Sequence, residues 1–481
     1  MLRYKIRREG VLAVPSNDPQ VATQDAADEE VGIRRVNEFF VNLVKRYLPD
    51  PYLLAIILTM LTFVMALILT DRPITSLLGD WYGGIFDLFV FILQALLVAV
   101  TGFALAQAPV VSSLLDRVAR IPKTQAQAGV TVMLATAVAS LLSWGLGLVT
   151  AAIMSRQIAK QMPVNYGYLV AAAYGGFMVW ASGVSSTIAL AIATPGSSMN
   201  VIEQETGVVT PLTESILPLW NVLPVILLLI ALSLYYYKVA PRGGMLSEED
   251  QRKLAEEDEV AEEDDEESDE TPARRMENSP VFTLVLVALM VGYFAVRLSS
   301  GDFNLGLNEL IAIFFLLGWL AHRRPTRYIR AFQNSIRAGG PIALQFPLYG
   351  GLMGVMVGSG LSEVIGGWFV AFSSAATLPF WSFISSIIIS LFIPSGGGHW
   401  VVQGPFMAPA ASELGADQTM TAMGVAYGEQ VANMLQPFWV LPVLAIVGLG
   451  IRQVMGYEVL AFVIGTLIFG ATLLLAGFIY Y

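Results

Sequence analysis

Residues 394–400 read Pro-Ser-Gly-Gly-Gly-His-Trp in the middle of a long apolar stretch. Three consecutive glycines disfavour a continuous membrane helix, because each costs about 1 kcal/mol relative to alanine, but they permit a tight reversal with exposed backbone N–H groups. A helix that restarts there points its positive end and these amides toward an anion. The pattern therefore favours a carboxylate site over the alternative of close helix packing by small residues. The candidate substrate-binding residues of this segment are Ser395, Gly396, Gly397, Gly398 and His399.

A second long apolar stretch is broken by Ser143-Trp144-Gly145-Leu146-Gly147. This break offers the same chemistry as the first one, with fewer glycines. We expect Ser143, Trp144 and Gly145 to contact the substrate, and the alternative is a simple packing kink.

Glu429 lies in the apolar stretch AYGEQVANMLQPFW and is the only carboxylate between Asp417 and Glu458. An acid inside the membrane is costly and is a functional-site hypothesis by default. It could ligate a cation or carry a proton, and the alternative is a neutral structural glutamate. Asn433, which is also a candidate substrate contact, and the carbonyls freed by Pro437 suit a hard cation such as Na⁺. The candidate residues for the coupling ion or proton are Glu429, Gln430, Asn433, Ser143 and Ser395.

The first half of the chain carries a polar run from Trp180 to Thr187, with four hydroxyl side chains and one glycine. Such a run loosens a helix and offers oxygens, so we expect Ser182 and Gly183 to contact the substrate. The alternative is that the hydroxyls bond back to their own helix. The proposed core contains no arginine, which favours a singly charged anion, because dicarboxylate and phosphate sites often enlist a bidentate arginine.

The composition excludes most other classes of protein. Of the 481 residues, 55% are hydrophobic and 14% are charged, whereas soluble domains carry about 25% charged residues. Recurrent apolar runs of 18 or more residues indicate a polytopic membrane protein, not a soluble enzyme, a nucleic-acid binder or a disulfide scaffold. With no cysteine and two histidines, thiolate sites and histidine-rich metal sites are excluded. We therefore expect no catalytic residues, no cofactor and no nucleic-acid partner.

The net charge of -11 belongs to one segment. Residues 245–278 hold 16 of the 38 acidic residues and 4 of the 27 basic ones. Such a segment cannot bury enough apolar surface to fold by itself, so we expect a disordered cytoplasmic linker, with a regulatory or docking role as the alternative.

Positive residues near the span ends give the orientation. A cytoplasmic N-terminus places nearly all of them inside, with Arg72 and Arg297 as exceptions, provided that residues 129–160 fold back as a re-entrant hairpin. Each arm would contain about 14 residues, or roughly 21 Å of helix, which is too short to span. The expected fold is an all-α polytopic membrane protein with about nine transmembrane helices and two re-entrant hairpins, at residues 129–160 and 378–413.

The chain matches itself at an offset near 250 residues. Ser140-Leu141 corresponds to Ser390-Leu391, and the run Ala173 to Gly175 corresponds to the run Ala426 to Gly428. The broken segments match as well, and the charge pattern gives the two halves opposite orientations. Inverted repeats with broken segments at matching positions indicate a secondary transporter whose site lies where the breaks meet.

These patterns divide the chain into five segments. The segments are a cytoplasmic N-terminal segment with a possible interfacial helix (1–50), a first repeat (51–240), the acidic cytoplasmic loop (241–279), a linking transmembrane helix (280–299) and a second repeat (300–481). We expect the C-terminus to lie outside.

Several motifs resemble the short-chain fatty acid transporters of the acetoacetate-uptake type, within the wider ion transporter superfamily. The most specific are PSGGGHWVVQGP (394–405), AYGEQ (426–430) and QPFWVLP (436–442), together with RYLPDP, VTGFALA, SWGLGLV and ATPGSS earlier in the chain. The resemblance implies uptake of short-chain monocarboxylates such as acetoacetate or butyrate across a cytoplasmic membrane. It also implies a homodimer and elevator-like movement. The Ser-Asn-Thr motifs of the sodium–dicarboxylate branch are replaced here by SWG and PSG, which leaves Na⁺ coupling and dicarboxylate recognition in doubt.

The expected function is therefore secondary active transport of a short-chain monocarboxylate, coupled to H⁺ or Na⁺. Two alternatives stay open. One is a symporter of the same superfamily for a C4-dicarboxylate or an amino acid, and the other is an uncoupled anion channel.

Overall fold

The computed structural model describes residues 51–252, 254, 271–436 and 438–480. The regular elements of this part are all helical, as expected where backbone groups cannot bond to water. Eight described helices are long and apolar enough to cross a membrane, which confirms the all-α polytopic fold. The N-terminal segment 1–50, with its expected interfacial helix, and most of the acidic run, residues 255–270, lie outside the described residues.

The helices of the first half, in order, are α1 (Pro51–Leu69), α2 (Ile74–Asp87), α3 (Phe89–Ala106), α4 (Pro109–Ala119), α5 (Gln125–Leu142), α6 (Trp144–Gln161), α7 (Tyr166–Gly176), α8 (Thr187–Ala193), α9 (Val201–Thr206), α10 (Leu212–Ile216) and α11 (Leu219–Lys238). A 3₁₀ helix, Phe177–Ser182, continues α7.

The helices of the second half, in order, are α12 (Pro272–Glu277), α13 (Pro280–Ser299), α14 (Leu307–His322), α15 (Pro325–Ile336), α16 (Gly340–Ser359), α17 (Leu361–Phe372), α18 (Leu378–Ser390), α19 (Gly396–Leu414), α20 (Gln418–Ala432), α21 (Val440–Val447) and α22 (Met455–Tyr480).

Helices α5 and α6 form a hairpin that turns at Ser143. The backbone N–H of Asn165, four residues beyond α6, donates to Gln125 Oε1 at the start of α5 at 2.7 Å. The outer ends of the two arms therefore lie on the same side. Each arm has 18 residues, or roughly 27 Å at 1.5 Å per residue, so the expected arm length of about 14 residues was wrong. Thr124 caps α5 by accepting from Gln127 N–H, and the helix therefore begins before Gly129.

Helices α18 and α19 form the second hairpin, and its turn ends at Ser395. Ser382 Oγ, near the start of α18, donates to the carbonyl of Thr421 at 2.9 Å. Thr421 lies in the first turn of α20, shortly after α19 ends at Leu414. The outer ends of this hairpin therefore also share one side.

Burial separates a core from a periphery. The span of α7, the 3₁₀ helix and α8 is almost entirely buried, whereas few residues of the span that contains α13 are buried. Between these extremes, glycines bring α2 and α16 into backbone contact, since a Cβ at Gly84 would lie 2.3 Å from the carbonyl of Gly350. The same helix α16 also packs against the second hairpin, where the Tyr349 ring lies beside Gly398.

Candidate functional site

The first hairpin tip is held by hydrogen bonds to the polar run after the 3₁₀ helix. Ser143 is extended (φ -155°, ψ 126°) and caps α6 by accepting from Leu146 N–H. The N–H of Trp144 donates to Ser185 Oγ at 2.8 Å, and the N–H of Val184 donates to the carbonyl of Leu141 at 2.8 Å. The hydroxyl of Ser185 thus satisfies a backbone donor of the tip.

The second tip uses its glycines for close packing. Ser395 is extended, and its carbonyl accepts from the N–H of His399 at 2.7 Å, which closes the first turn of α19. A Cβ at Gly396 would lie 2.5 Å from the Trp180 ring, and a Cβ at Gly398 would lie 2.5 Å from the Tyr349 ring. The glycines therefore open the helix N-terminus and also admit large side chains from other elements.

Trp439 connects the two tips. Its ring packs edge-on against Trp144, with 5.3 Å between ring centroids, and its Nε1–H donates to the carbonyl of Pro394 at 2.6 Å. Neither contact could be read from the sequence, because Trp439 is 295 residues from Trp144 and 45 from Pro394.

A pocket of about 370 Å³, its open side included, lies between the tips. Its lining is Ala95, Trp144, Phe177, Trp180, Thr187, Ile342, Phe346, Ser395, Gly396, Gly397 and Trp439. Two polar atoms of these side chains, Trp144 Nε1 and Thr187 Oγ1, are buried without a hydrogen-bond partner within the described chain. A buried donor without a partner is unfavourable, so both groups are available to a ligand.

Glu429 lies beside this pocket in a fully buried polar network. Its Oε2 is 2.5 Å from Ser390 Oγ and 3.0 Å from His399 Nδ1. Its Oε1 accepts from Asn433 Nδ2 at 3.0 Å. Asn433 Oδ1 in turn accepts from Trp180 Nε1 at 2.9 Å. Because Trp180 lines the pocket, one amide side chain separates Glu429 from the pocket wall.

The other candidate polar residues stabilise the surroundings of Glu429. Gln430 accepts from the N–H of Ala181 at 3.1 Å and also hydrogen-bonds to Ser182 Oγ. Tyr174 OH donates to the carbonyl of Asn433 at 2.9 Å. These bonds join the second half of the chain to the loosened segment of the first half.

The predicted site residues thus fall into three groups. Trp144, Ser395, Gly396 and Gly397 line the pocket. His399, Glu429 and Asn433 share the carboxylate network.

The remaining predicted residues support the tips. Three of them do so by hydrogen bonds: Ser143 caps α6, Ser182 hydrogen-bonds to Gln430, and Gln430 also accepts from the N–H of Ala181. The other three are glycines that allow close packing, Gly145 on α3, Gly183 on Leu141 and Gly398 on Tyr349. Gly145 is needed because its Cβ would lie 3.2 Å from the carbonyl of Ala99.

Sequence reasoning missed the apolar wall and two polar supports. Phe177, Ile342, Phe346 and Trp439 come from three separate elements or loops, since Ile342 and Phe346 both lie on α16. Trp439 belongs to the QPFWVLP motif, but nothing in that motif indicates its contact with the tips. In the sequence Ser390 is distinguished only by its place in the repeat, and Gln403 lies one helical turn after His399. A glutamine at that spacing on an intramembrane helix is a signal that could have been used.

The fold and the two-tip pocket define a class of multi-span helical membrane protein. The helical architecture is shared with the YdaH transporter of Alcanivorax borkumensis (TM-score 0.56, 15% identity, 89% of this chain and 98% of that one). It is also shared with MtrF of Neisseria gonorrhoeae, described with a class of antimetabolite efflux pumps (TM-score 0.53, 14% identity, 92% of this chain and 97% of that one). At this identity the likeness concerns the fold.

Sequence comparison gives the family. The profile of the short chain fatty acid transporter family matches residues 32–476, and the chain belongs to this family. A protein of Escherichia coli K12 named as a candidate short-chain fatty acid transporter is 38% identical over 438 residues, covering 91% of this chain and 98% of that protein. A Haemophilus influenzae protein named in the same way is 36% identical over 449 residues, covering 92% and 99%.

Proposed function

We propose that the protein is a secondary active carrier that moves short-chain monocarboxylates, such as butyrate or acetoacetate, across the cytoplasmic membrane. The pocket between the hairpin tips is the observation that carries this proposal. Its wall is mostly aromatic and aliphatic with a few polar groups, which is the usual composition of a small-molecule site. The names of the two bacterial relatives support the same class of substrate.

The lining of the pocket explains how one carboxylate would be held. The first turn of α19 at Gly396 and Gly397 presents backbone N–H groups and the positive end of the helix. Trp144 Nε1 and Thr187 Oγ1 supply two further donors. The aromatic and aliphatic walls suit a short acyl chain.

The charge of the pocket favours a single carboxylate. None of the described lining residues is Asp, Glu, Lys or Arg, so a second carboxylate would be buried without a charged partner. This disfavours a C4-dicarboxylate, the alternative substrate class, and an amino acid would leave its ammonium group equally unpaired.

The arrangement of the hairpins supports alternating access. Ser143 and Ser395 are the residues directly before the second arm of their hairpins, at positions 252 residues apart, close to the offset of the sequence repeat. We infer that both hairpins are re-entrant, that residues 51–240 and 300–481 are inverted repeats, and that the tips move together in an elevator-like step.

The carrier would be coupled to a cation, H⁺ or Na⁺, through Glu429, Gln430 and Asn433, with Ser143 and Ser395 near the site. The distribution of basic residues supports a cytoplasmic N-terminus and acidic loop, and an external C-terminus. The family resemblance supports a homodimer in the inner membrane.

Reconstituted protein in liposomes tests the proposal. Labelled butyrate or acetoacetate should accumulate against its gradient when a proton or sodium gradient is imposed, and unlabelled short-chain monocarboxylates should compete. Competition by succinate or amino acids instead would give the alternative substrate class. Flux that never concentrates the substrate under any gradient would show a channel and overturn the carrier.

A further inference from the structure

The hydrogen-bond network around Glu429 has fixed donors and acceptors. Trp180 Nε1 can only donate, so the atom of Asn433 that faces it, at 2.9 Å, is the amide oxygen. The amide nitrogen of Asn433 therefore faces Glu429 Oε1 and donates to it at 3.0 Å. The orientation of the Asn433 amide is therefore assigned from the donors and acceptors that surround it.

The same reasoning fixes the orientation of Ser390. Gln436 Nε2 donates to the backbone carbonyl of Ser390, which can only accept, and also to Ser390 Oγ at 2.8 Å. Ser390 Oγ accepts from Gln436 and donates its own proton to Glu429 Oε2, 2.5 Å away. Each carboxylate oxygen of Glu429 thus already receives one donor.

The hydrogen-bond partners of His399 also determine the protonation of its Nε2 atom. Gln403 Nε2 donates at 2.9 Å to the carbonyl of Ser382 and to Ser385 Oγ. Gln403 Oε1 therefore faces His399 Nε2, at 2.6 Å. A carbonyl oxygen only accepts, so His399 carries a proton on Nε2 whatever the state of Nδ1.

The neighbouring groups do not determine whether a proton lies between His399 Nδ1 and Glu429 Oε2, which are 3.0 Å apart. We propose that these two atoms share a single proton, and that this proton is the coupling ion of the carrier. The inference rests on the proposed function for the transported anion, but its protonation chemistry can be measured separately. The pair is neutral with the proton on either atom. When the proton leaves, the N–H or O–H bond breaks and the pair carries one negative charge.

The geometry explains why the proton and the substrate would bind together. Without the proton, the lone pairs of Nδ1 and Oε2 face each other, and the buried carboxylate is uncompensated. His399 lies in the first turn of α19, one turn from Gly396 and Gly397 at the pocket. A negative charge there repels a carboxylate at the helix N-terminus, so protonation of the pair favours anion binding.

Besides His399, the titratable side chains that the described residues place near Glu429 are two phenols. Tyr174 of α7 donates to the carbonyl of Asn433, and Tyr349 of α16 packs on Gly398. Glu458 of α22 is also buried, but it accepts from Tyr236 OH at 3.3 Å and takes no part in this network. On α18 the facing groups are the uncharged hydroxyls of Ser386 and Ser390.

The first experiment measures proton uptake on ligand binding. Butyrate is added to the purified protein in weakly buffered detergent solution with a pH indicator, over a pH series. Wild type should take up close to one proton per butyrate at alkaline pH, with affinity falling about tenfold per pH unit there. E429Q should bind without proton uptake. The matched control E458Q replaces another fully buried glutamate and should behave as wild type.

The second experiment observes the proton without any substrate. The chain has two histidines, so ¹⁵N-histidine labelling gives two ring systems, and H322Q assigns that of His399. We expect Nε2 of His399 to stay protonated while Nδ1 changes with pH, and we expect this change to be altered in E429Q.

The outcomes are distinguishable. If no short-chain monocarboxylate binds, the proposed function fails, while the ¹⁵N titration still tests the shared proton. If butyrate binds without proton uptake, or its affinity follows Na⁺ and not pH, the shared proton is not the coupling ion. Loss of the Nε2 proton or an Nδ1 signal that is insensitive to E429Q would overturn the assignment even if E429Q bound no ligand.

Discussion

Thr187 and Gly396, from opposite halves of the chain, meet at the pocket. A Cβ at Gly396 would lie 2.7 Å from Thr187 Oγ1, and this hydroxyl has no hydrogen-bond partner among the described residues. The helix N-terminus and an unsatisfied hydroxyl therefore point to the same small volume. Two of the predictions below follow from this contact.

Replacing Thr187 with valine should weaken substrate binding without loss of stability. The change keeps the shape and removes a buried hydroxyl that has no hydrogen-bond partner among the described residues. A hydrogen bond to a charged group contributes about 1.5–3 kcal/mol, so we expect butyrate affinity to fall roughly tenfold or more. Calorimetric or thermal-shift titration of the purified variant measures this.

Thr136→Val is the matched control. Thr136 Oγ1 is also buried without a partner, but it lies on α5 away from the pocket lining. The butyrate affinity of the Thr136→Val protein should equal that of wild type. Equal weakening in both variants would mean that Thr187 acts through the fold and does not contact the substrate.

Replacing Gly396 with alanine should close the pocket. The added methyl would lie 2.5 Å from the Trp180 ring and 2.7 Å from Thr187 Oγ1, and both side chains line the pocket. Overpacking at such a site costs typically 1–3 kcal/mol, and we expect butyrate uptake to fall to background while the protein still reaches the membrane. Gly340→Ala, where a Cβ would have nothing within 4 Å, should transport normally.

Ile342 on α16 should set the chain length of the substrate. It lines the pocket and is 7% exposed. Ile342→Ala removes about three carbons of wall, so a longer acid can fill the space, and each buried methylene contributes about 0.8 kcal/mol. We expect the preference for hexanoate over butyrate to rise roughly tenfold, measured as a competition ratio.

The control for this prediction is Ile388→Ala on α18, an exposed isoleucine. Its competition ratio should not change. If Ile342→Ala weakened both acids equally, the residue would support the helix and would not limit the acyl chain.

The sequence was informative where a residue type is unusual for its surroundings. Three glycines, a buried glutamate and a histidine are costly within a membrane helix, and the structure brings these residues or their neighbours together at the tips and the carboxylate network. The helix starts at the two tips could also be predicted, because Ser143 and Ser395 each directly precede a helix.

Tertiary contacts between distant parts of the chain could not be predicted from the sequence in this way. Trp439 and Phe346 are ordinary apolar residues for a membrane protein, and their role depends on packing between elements far apart in the chain. The arm lengths of the first hairpin were underestimated because the cap at Thr124 extends α5 through polar residues that a hydropathy pattern excludes.

The packing of α20 on α18 should be sensitive to a single methyl group. A Cβ at Gly428 would lie 2.4 Å from Ser386 Cβ and 2.6 Å from the carbonyl of Phe383, and backbone atoms cannot move aside cheaply. We expect Gly428→Ala to lower the free energy of unfolding by about 1–3 kcal/mol and to displace Glu429, the next residue. Gly367→Ala on α17, where a Cβ would have nothing within 4 Å, should instead be neutral or stabilising by about 0.5–1 kcal/mol. Thermal unfolding of the two variants in the same detergent compares them directly, and a Gly428→Ala protein as stable as wild type would contradict the close approach of α18 and α20 on which the Glu429 network depends.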